Sequence, residues 1–424
     1  MKESKKIKIW FVILMALIQF PLKLAGNLRY GAYVFVYLIP FLYLIKNLNI
    51  TFNLLTKRNN KRIAIFKFLL LYLILISLIW PILLGTYDFT YVTVYWRGYF
   101  LWILKYLFLV VVFLKHIDKE GSFDLFAKHF IVAVSLYVSF SIITLIPAAR
   151  NYAMKIIYIS TDYLSLYNHP QSYTRFGWTG WSGFNETTVC SFAVLLGCIL
   201  IIKETNKKKK FDMLLQLIIP VIGNALYGRI GLLASVLCIG LMCIYVILDG
   251  NGQFAFKTIC ICTLGLFIFI MLKDKITILG NMYKWIFSAF KNYLEYGKFY
   301  DSMGSIEHLL TDMYWVPDIK TLLIGDGRYT DGSSYYMHTD SGIMRPILYY
   351  GVINYFISIF GLVSLANRFT SRLLNAKKSK LIIQFIICIF VFVFEFKGES
   401  LWMTVGMLFP IALMLEYSNL KYDV

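Results

Sequence analysis

The residues in this chain best suited to chemistry are its arginines and the ionisable groups of two polar stretches. Seven of the eleven arginines (Arg29, Arg97, Arg150, Arg175, Arg229, Arg328 and Arg345) fall in segments that the hydropathy pattern groups on one side. A guanidinium keeps its proton, and its planar fork donates two parallel hydrogen bonds, which suits phosphate. Several of them at a membrane edge are what a lipid-linked pyrophosphate needs. A single arginine serves equally well as a snorkelling side chain or a carboxylate partner. Arg229 and Arg345 differ from the rest, because each sits at the start of an apolar run, where an unpaired cation is expensive. The stretch LLIGDGRYTDGSSYYMHTDSGIMRP crowds Asp326, Arg328, Asp331, His338, Asp340 and Arg345 among turn-forming glycines. That density of ionisable groups beside an apolar run marks a candidate site. A second stretch holds Tyr163, Tyr167, His169, Tyr173, Arg175, Trp178 and Trp181. Rings with polar edges stack on sugar faces, and they also gather at membrane interfaces. Both readings stand.

The elements that must position these residues follow from composition. Apolar residues make up 59% of the 424, charged residues 15%, and mean hydropathy is +0.67. These values exclude an ordinary soluble globule, a disordered chain and a disulfide scaffold. Long unbroken apolar runs exclude a membrane β-barrel, whose strands alternate. The chain reads as an all-α polytopic membrane protein with about 12 spans, near residues 9–24, 30–45, 63–84, 99–114, 130–147, 187–202, 211–225, 230–248, 255–272, 343–366, 381–396 and 401–417. No internal repeat appears, so one integral domain over 1–424 is the simplest description. The basic N-terminus precedes an apolar run without a small-residue cleavage site, which reads as an uncleaved first helix.

The net charge of +19 would suggest nucleic acid in a soluble protein, but here the lysines cluster in short loops between spans. Topology and anionic lipid explain them, and no nucleic acid is implied. Lys46–Arg62, Lys203–Lys210 and Arg368–Lys380 are the basic loops, so both termini are expected in the cytoplasm. Residues 148–186 and 273–342 are then two large outer loops. Loops of that length are uncommon without a role. Met282–Leu294 is amphipathic, with Met282, Ile286, Ala289, Phe290 and Tyr293 on one face, and suits a helix in the outer interface. Ser305–Val316 reads as a further helix, stopped by Pro317. The cysteines all lie in apolar spans, and Cys190, Cys198, Cys260 and Cys262 read as buried small hydrophobes. Glu395, Lys397 and Glu399 form a charged cluster at the end of a span, which suits either an ion relay or a helix end. No zinc-protease helix, phosphate loop or serine-hydrolase elbow is present, and nothing defines a metal-ligand set.

Three patches resemble the bacterial O-antigen ligase and repeat-unit polymerase (Wzy-type) superfamily. RFGWTGWSGFN, from Arg175 to Asn185, is similar to the family's arginine, glycine, aromatic and asparagine run ahead of a helix. Gly228-Arg229-Ile230-Gly231 is similar to its arginine and small-residue helix start. LLIGDGRY, followed by His338, Asp340 and YYGVINYF, is similar to its glycine turn after the large outer loop. The resemblance covers roughly residues 170–365. It departs from many relatives at Ser302–Leu310, which carries His308 where they carry an arginine; Arg328 is the candidate substitute.

The resemblance implies a GT-C-like fold and a glycosyltransferase on the outer face of the bacterial inner membrane. The implied reaction moves a growing O-antigen or capsule glycan from undecaprenyl pyrophosphate to the distal sugar of a lipid-linked repeat unit, with inversion and without metal or cofactor. Expected partners are that lipid-linked oligosaccharide, the bilayer, a chain-length-regulating co-polymerase and a flippase. Arg175, Arg229, Arg345 and Arg328 are then the pyrophosphate candidates, because fixed cations stabilise charge building on the leaving oxygen. His338 is the base candidate by type, and Asp340 either orients it or is the base. Trp178, Trp181, Tyr335, Tyr336 and His169 are candidate sugar contacts, His169 also being a reserve base. A ligase joining glycan to a lipid core is the alternative within the superfamily. A flippase or transporter is the alternative outside it, though that class favours short loops and inverted repeats.

The topology is testable directly. Alkaline phosphatase fused after Lys208 should be inactive and fused after Tyr296 active; the reverse pattern would invert the assignment.

Overall fold

The computed structural model describes residues 6–26, 29–56, 61–160, 173–297, 305–332 and 334–419. Each of the twelve expected apolar spans is largely helical. Among the described residues, nine helices are long and apolar enough to cross a membrane. A tenth span is added if Tyr30–Lys46 and Leu48–Thr56, bent by 89° at their junction, count as one. Ile9–Gln19 and Leu401–Tyr417 are shorter apolar helices. The only strands among the described residues form two hairpins with two-residue strands. The chain is an all-α, multi-pass membrane protein.

Four local expectations change. The basic segment 46–62 is not all loop but contains the helix Leu48–Thr56, and the loop 148–186 opens with the helix Pro147–Ile156. The helix expected over 305–316 ends at Thr311, well before Pro317. Cys260 and Cys262 are exposed, whereas Cys190 and Cys198 are buried. The first pair lies on Gly252–Leu272, a peripheral helix with few buried residues. Lipid solvates such a surface, so nothing drives it inward.

The chain packs as two compact units. The first comprises Met1–Tyr43, His116–Asp118 and Ser122–Ser302. At its centre, the helix Phe184–Lys203 is buried on every face from Thr187 to Ile202. Around it stand Phe123–Ile143, Ile218–Tyr227 and Arg229–Leu248. A buried polar knot joins these helices. Asn224 Oδ1 accepts from the hydroxyls of Thr187 (2.9 Å) and Ser191 (3.0 Å), while its Nδ2 donates to Ser235 Oγ (2.8 Å). The single proton of each hydroxyl is shared with a backbone carbonyl, Gly228 O for Thr187 (3.3 Å) and Gly231 O for Ser191 (3.1 Å). A Cβ at Gly231 would stand 2.0 Å from Thr187 Oγ1, so only a residue without one lets the Arg229 helix start here. The knot thereby supplies the physical reason for the small residues flanking Arg229.

The second unit comprises Leu44–Lys115, Lys119–Gly121 and Met303–Val424. Its main helix, Met344–Leu373, packs against Lys61–Leu83, Lys377–Lys397 and Leu401–Asn419. That helix is interrupted at Gly351, where φ is +85°. A Cβ there would also lie 2.1 Å from Leu323 O. The break frees two carbonyls, and the glycine turn takes them: Asp326 N–H donates to Leu348 O (2.7 Å) and Gly327 N–H to Tyr349 O (3.0 Å). A second repair occurs opposite. Pro81 has no N–H to give Ser77 O, and Tyr349 OH donates to that carbonyl instead, at 2.9 Å. At the other end of Met344–Leu373, Arg368 and Arg372 both clasp the buried Glu416 carboxylate.

Gly351 therefore meets two demands that alanine fails, handedness and space. Gly351→Ala should lower the detergent melting temperature markedly. Gly240→Ala, at a helical position open on all sides, should leave it unchanged or raise it. Equal behaviour of the two variants in thermal unfolding would refute the account of the break.

Candidate functional site

Unit one holds an arginine pair. The motif from Phe176 to Trp181 is a tight antiparallel hairpin, pairing Phe176 with Trp181 and Gly177 with Gly180. Gly180 takes φ +86°, which closes the turn. Ser182 N–H donates to Arg175 O at 2.6 Å, extending the hairpin by one pair. Glu186 caps the following helix by accepting from Gly183 N–H (2.9 Å) and also from Thr179 Oγ1 (3.1 Å). These bonds hold Arg175 beside Trp181, with its guanidinium carbon 5.8 Å from the ring centroid.

Arg175 and Arg229 come together around a residue that no sequence motif marks. Trp285, on the helix Thr277–Tyr296, is 2% exposed. Both guanidinium carbons lie 5.4 Å from its ring centroid, within cation–π range. Arg229 Nη1 also donates to Trp285 O at 3.3 Å. Among the described residues, no carboxylate pairs with Arg175. Burial lowers the Arg175 pKa first, and the Arg229 charge lowers it further. Two half-sheltered cations on one indole repel each other, and an anion with two charged oxygens would relieve that repulsion. The helix face matches the expected amphipathic one only in part. Met282 and Trp285 face inward, while Phe290, Tyr293 and Leu294 are exposed.

Trp178 and Trp181 are half-buried and pack on a small apolar cluster of Ala153, Ile157 and Phe176. Trp178 Nε1 donates to Phe140 O at 3.1 Å, so its polar edge is already engaged. His169, with Tyr163 and Tyr167, lies outside the described residues.

Unit two holds a different centre. Arg345, in the first turn of its broken helix, is 7% exposed and pairs with Glu399 through Nη1 and Oε2 at 2.7 Å. Its guanidinium carbon lies 3.9 Å from the Tyr329 ring centroid and 3.7 Å from that of Tyr335. Tyr329 is buried and also donates its hydroxyl to Glu399 Oε2 at 2.6 Å. Tyr335 is 45% exposed and covers the other face. Below lies a tyrosine stack: Tyr91 is sandwiched by Tyr95 (4.6 Å) and Tyr349 (4.4 Å) and meets Tyr329 edge-on. Asp88 clamps the overlying segment, accepting from the N–H groups of Tyr329 (2.7 Å) and Thr330 (3.0 Å). Burial raises the Asp88 pKa, but these donors and Thr90 outweigh it and leave the carboxyl below its usual range. Glu399 goes the other way. Burial lifts its pKa, Asp340 adds to the lift, and Arg345 with Tyr329 only partly offsets it.

The remaining candidates divide by environment. Asp340 is partly buried, and its Oδ1 has no hydrogen-bond partner among the described residues. His338 is exposed, its imidazole makes no hydrogen bond among them, and it takes φ +57° directly after Met337 at +55°. Two consecutive non-glycine residues in the left-handed region store strain, which functional loops often carry. Tyr336 donates its hydroxyl to Asp326 Oδ2 at 3.1 Å, and burial followed by the Asp326 charge raises its pKa. Arg328 is exposed beside Tyr336 and belongs to unit two with Arg345. The expected pyrophosphate set thus divides as Arg175 with Arg229 and, in the other unit, Arg328 with Arg345. Glu399 is visible in the sequence as part of a charged helix end, but nothing there pairs it with Arg345. No group of metal-ligating side chains exists among the described residues.

No protein-family model, curated protein or solved structure matches the chain.

The ion pair has a measurable consequence. Glu399→Ala leaves a buried guanidinium uncompensated and should destabilise unit two by about 3–5 kcal/mol. Replacing the pair together, Arg345→Met with Glu399→Leu, should recover most of that loss. Chemical unfolding in detergent reads both, and a double variant as unstable as the single one would show that the pair is not the cause.

Proposed function

We propose that the protein is a polysaccharide repeat-unit polymerase of the Wzy type. It transfers a growing glycan from undecaprenyl pyrophosphate to a sugar hydroxyl on the outer face of the bacterial inner membrane. In this reading the spans number twelve: the nine long helices, the bent pair, and the two shorter apolar helices at either end. The fold is GT-C-like, and both termini are cytoplasmic. The observation that carries the reading is the convergence of Arg175 and Arg229 on Trp285 with no carboxylate paired to Arg175 among the described residues. The sequence motifs around Arg175, Arg229 and the glycine turn support it, as do the exposed aromatic residues of Thr277–Tyr296.

The chemistry assigns each group a task. The acceptor oxygen bonds to the anomeric carbon as the bond from that carbon to the pyrophosphate oxygen breaks. The bonding pair leaves with the pyrophosphate. Arg175 and Arg229 stabilise the charge that grows on the departing oxygen, more in the transition state than in the ground state. The acceptor proton passes to a general base, the role that the resemblance gives to His338, with Asp340 orienting it or acting as the base itself.

The test is a reaction of purified protein with a lipid-pyrophosphate-linked repeat unit, without nucleotide sugar and with excess chelator, resolved on a gel. A product ladder is expected. Arg175→Ala and Arg229→Ala should each slow it by about 100-fold or more while the protein stays folded in the membrane. An undiminished ladder from the double variant would remove the pyrophosphate assignment. Attachment of finished chains to an added lipid core, without chain growth, would mean a ligase.

A further inference from the structure

We infer that the Arg345–Glu399–Asp340 centre under Tyr335 is a binding subsite for neighbouring hydroxyls of a sugar, and not part of the pyrophosphate site. The inference deepens the proposed function by placing the acceptor glycan, and it rests on that reading for the glycan's identity.

Four polar atoms of this centre are buried without a hydrogen-bond partner among the described residues: Arg345 Nε, Arg345 Nη2, Glu399 Oε1 and Asp340 Oδ1. The side chains of Arg345 and Glu399 are each 7% exposed, so bulk water does not serve them. Asp340 is close enough to Glu399 to act on its ionisation. Buried polar atoms left unmatched are costly, so such a concentration needs an explanation.

The pattern of the unmatched atoms selects the ligand. Two are guanidinium donors, and two are carboxylate oxygens. A phosphate offers only acceptors, which would satisfy Arg345 but stand against two carboxylates. One guanidinium against Glu399 and Asp340 leaves the centre anionic when both are ionised, which repels a pyrophosphate. An ammonium group offers only donors and would face Arg345. A hydroxyl donates once and accepts twice. Two adjacent hydroxyls therefore answer both halves of the pattern while adding no charge.

The covering residue agrees. Tyr335 lies over Arg345 with one face and is 45% exposed, whereas Tyr329 beneath is 3% exposed. The free face of Tyr335 offers a sugar ring an apolar platform beside the hydroxyl-binding atoms. Tyr335 ends a two-residue strand and is followed by the left-handed pair Met337 and His338. The platform therefore stands on a segment held in a specific, strained shape.

The experiment uses the full-length protein in nanodiscs and two separate probes. One is the lipid-free repeat-unit oligosaccharide released from the host's own polysaccharide; the other is undecaprenyl pyrophosphate carrying no sugar. Binding is measured calorimetrically for the wild type, Asp340→Asn, Tyr335→Ala, Glu399→Gln and Arg175→Ala. Asp340→Asn and Tyr335→Ala leave the Arg345–Glu399 pair intact, so the test survives if Glu399→Gln does not fold. Each should weaken the oligosaccharide by about tenfold or more and leave the lipid pyrophosphate unchanged. Arg175→Ala should do the opposite. Wild-type oligosaccharide affinity in both Asp340→Asn and Tyr335→Ala would overturn the subsite and leave ordered water as the partner of these atoms. Parallel loss of lipid pyrophosphate in those variants would return the centre to the pyrophosphate site. Oligosaccharide binding without lipid pyrophosphate binding in the wild type would sink the donor assignment and keep the subsite; binding of neither would sink both.

Discussion

In a helical membrane bundle, each polar group removed from water must find its partner inside the protein. Three irregular features among the described residues are shaped by that constraint. Where Gly351 interrupts a helix, the freed carbonyls are taken by the glycine turn at Asp326 and Gly327. Where Pro81 leaves Ser77 O unused, Tyr349 supplies a hydroxyl. Where the Arg229 helix begins, Asn224 gathers Thr187, Ser191 and Ser235 into one network. The knot at Asn224 also fixes where the Arg229 helix starts.

The two arginine centres differ in electrostatic balance, and that difference governs what each can hold. Around Trp285, Arg175 has no carboxylate partner among the described residues and feels the Arg229 charge, so an anion is favoured at Arg175. Arg345 is matched by Glu399, and Asp340 lies near Glu399, so an anion gains little there. Burial strengthens both effects, because the low local dielectric magnifies charge imbalance as well as charge pairing. A glycosyl transfer from a lipid pyrophosphate needs one task of each kind: stabilising a leaving anion, and orienting a neutral hydroxyl.

Part of this architecture is legible in the amino-acid sequence. Apolar runs of roughly 20 residues define spans because the hydrocarbon core has a set thickness. The run from Arg175 to Asn185 is expected ahead of a helix, and the helix Phe184–Lys203 follows, but the Phe176–Trp181 hairpin inside it is visible only in the fold. The site itself is legible only as a set of residue types. Arg175 and Arg229 both stand out, but Trp285 carries no local signal, since an indole on an amphipathic helix looks like any interfacial tryptophan. Arg345 looks free in the sequence because Glu399 lies far along the chain, beyond the rest of its own helix and the whole of the next.

The sequence by itself determined that this is an all-α, multi-pass membrane protein, where its long apolar helices run, and which segments are rich in ionisable groups. Hydropathy and helix breaking are local properties, readable within a turn or a span. Tertiary structure alone decided which charges meet: Arg175 and Arg229 at one indole, and Arg345 with Glu399 between two tyrosine rings. Electrostatic interaction depends on distance in space and on what fills the space between. Neither quantity is encoded by spacing along the chain, so the same arginines that look alike in sequence face opposite chemistries once folded.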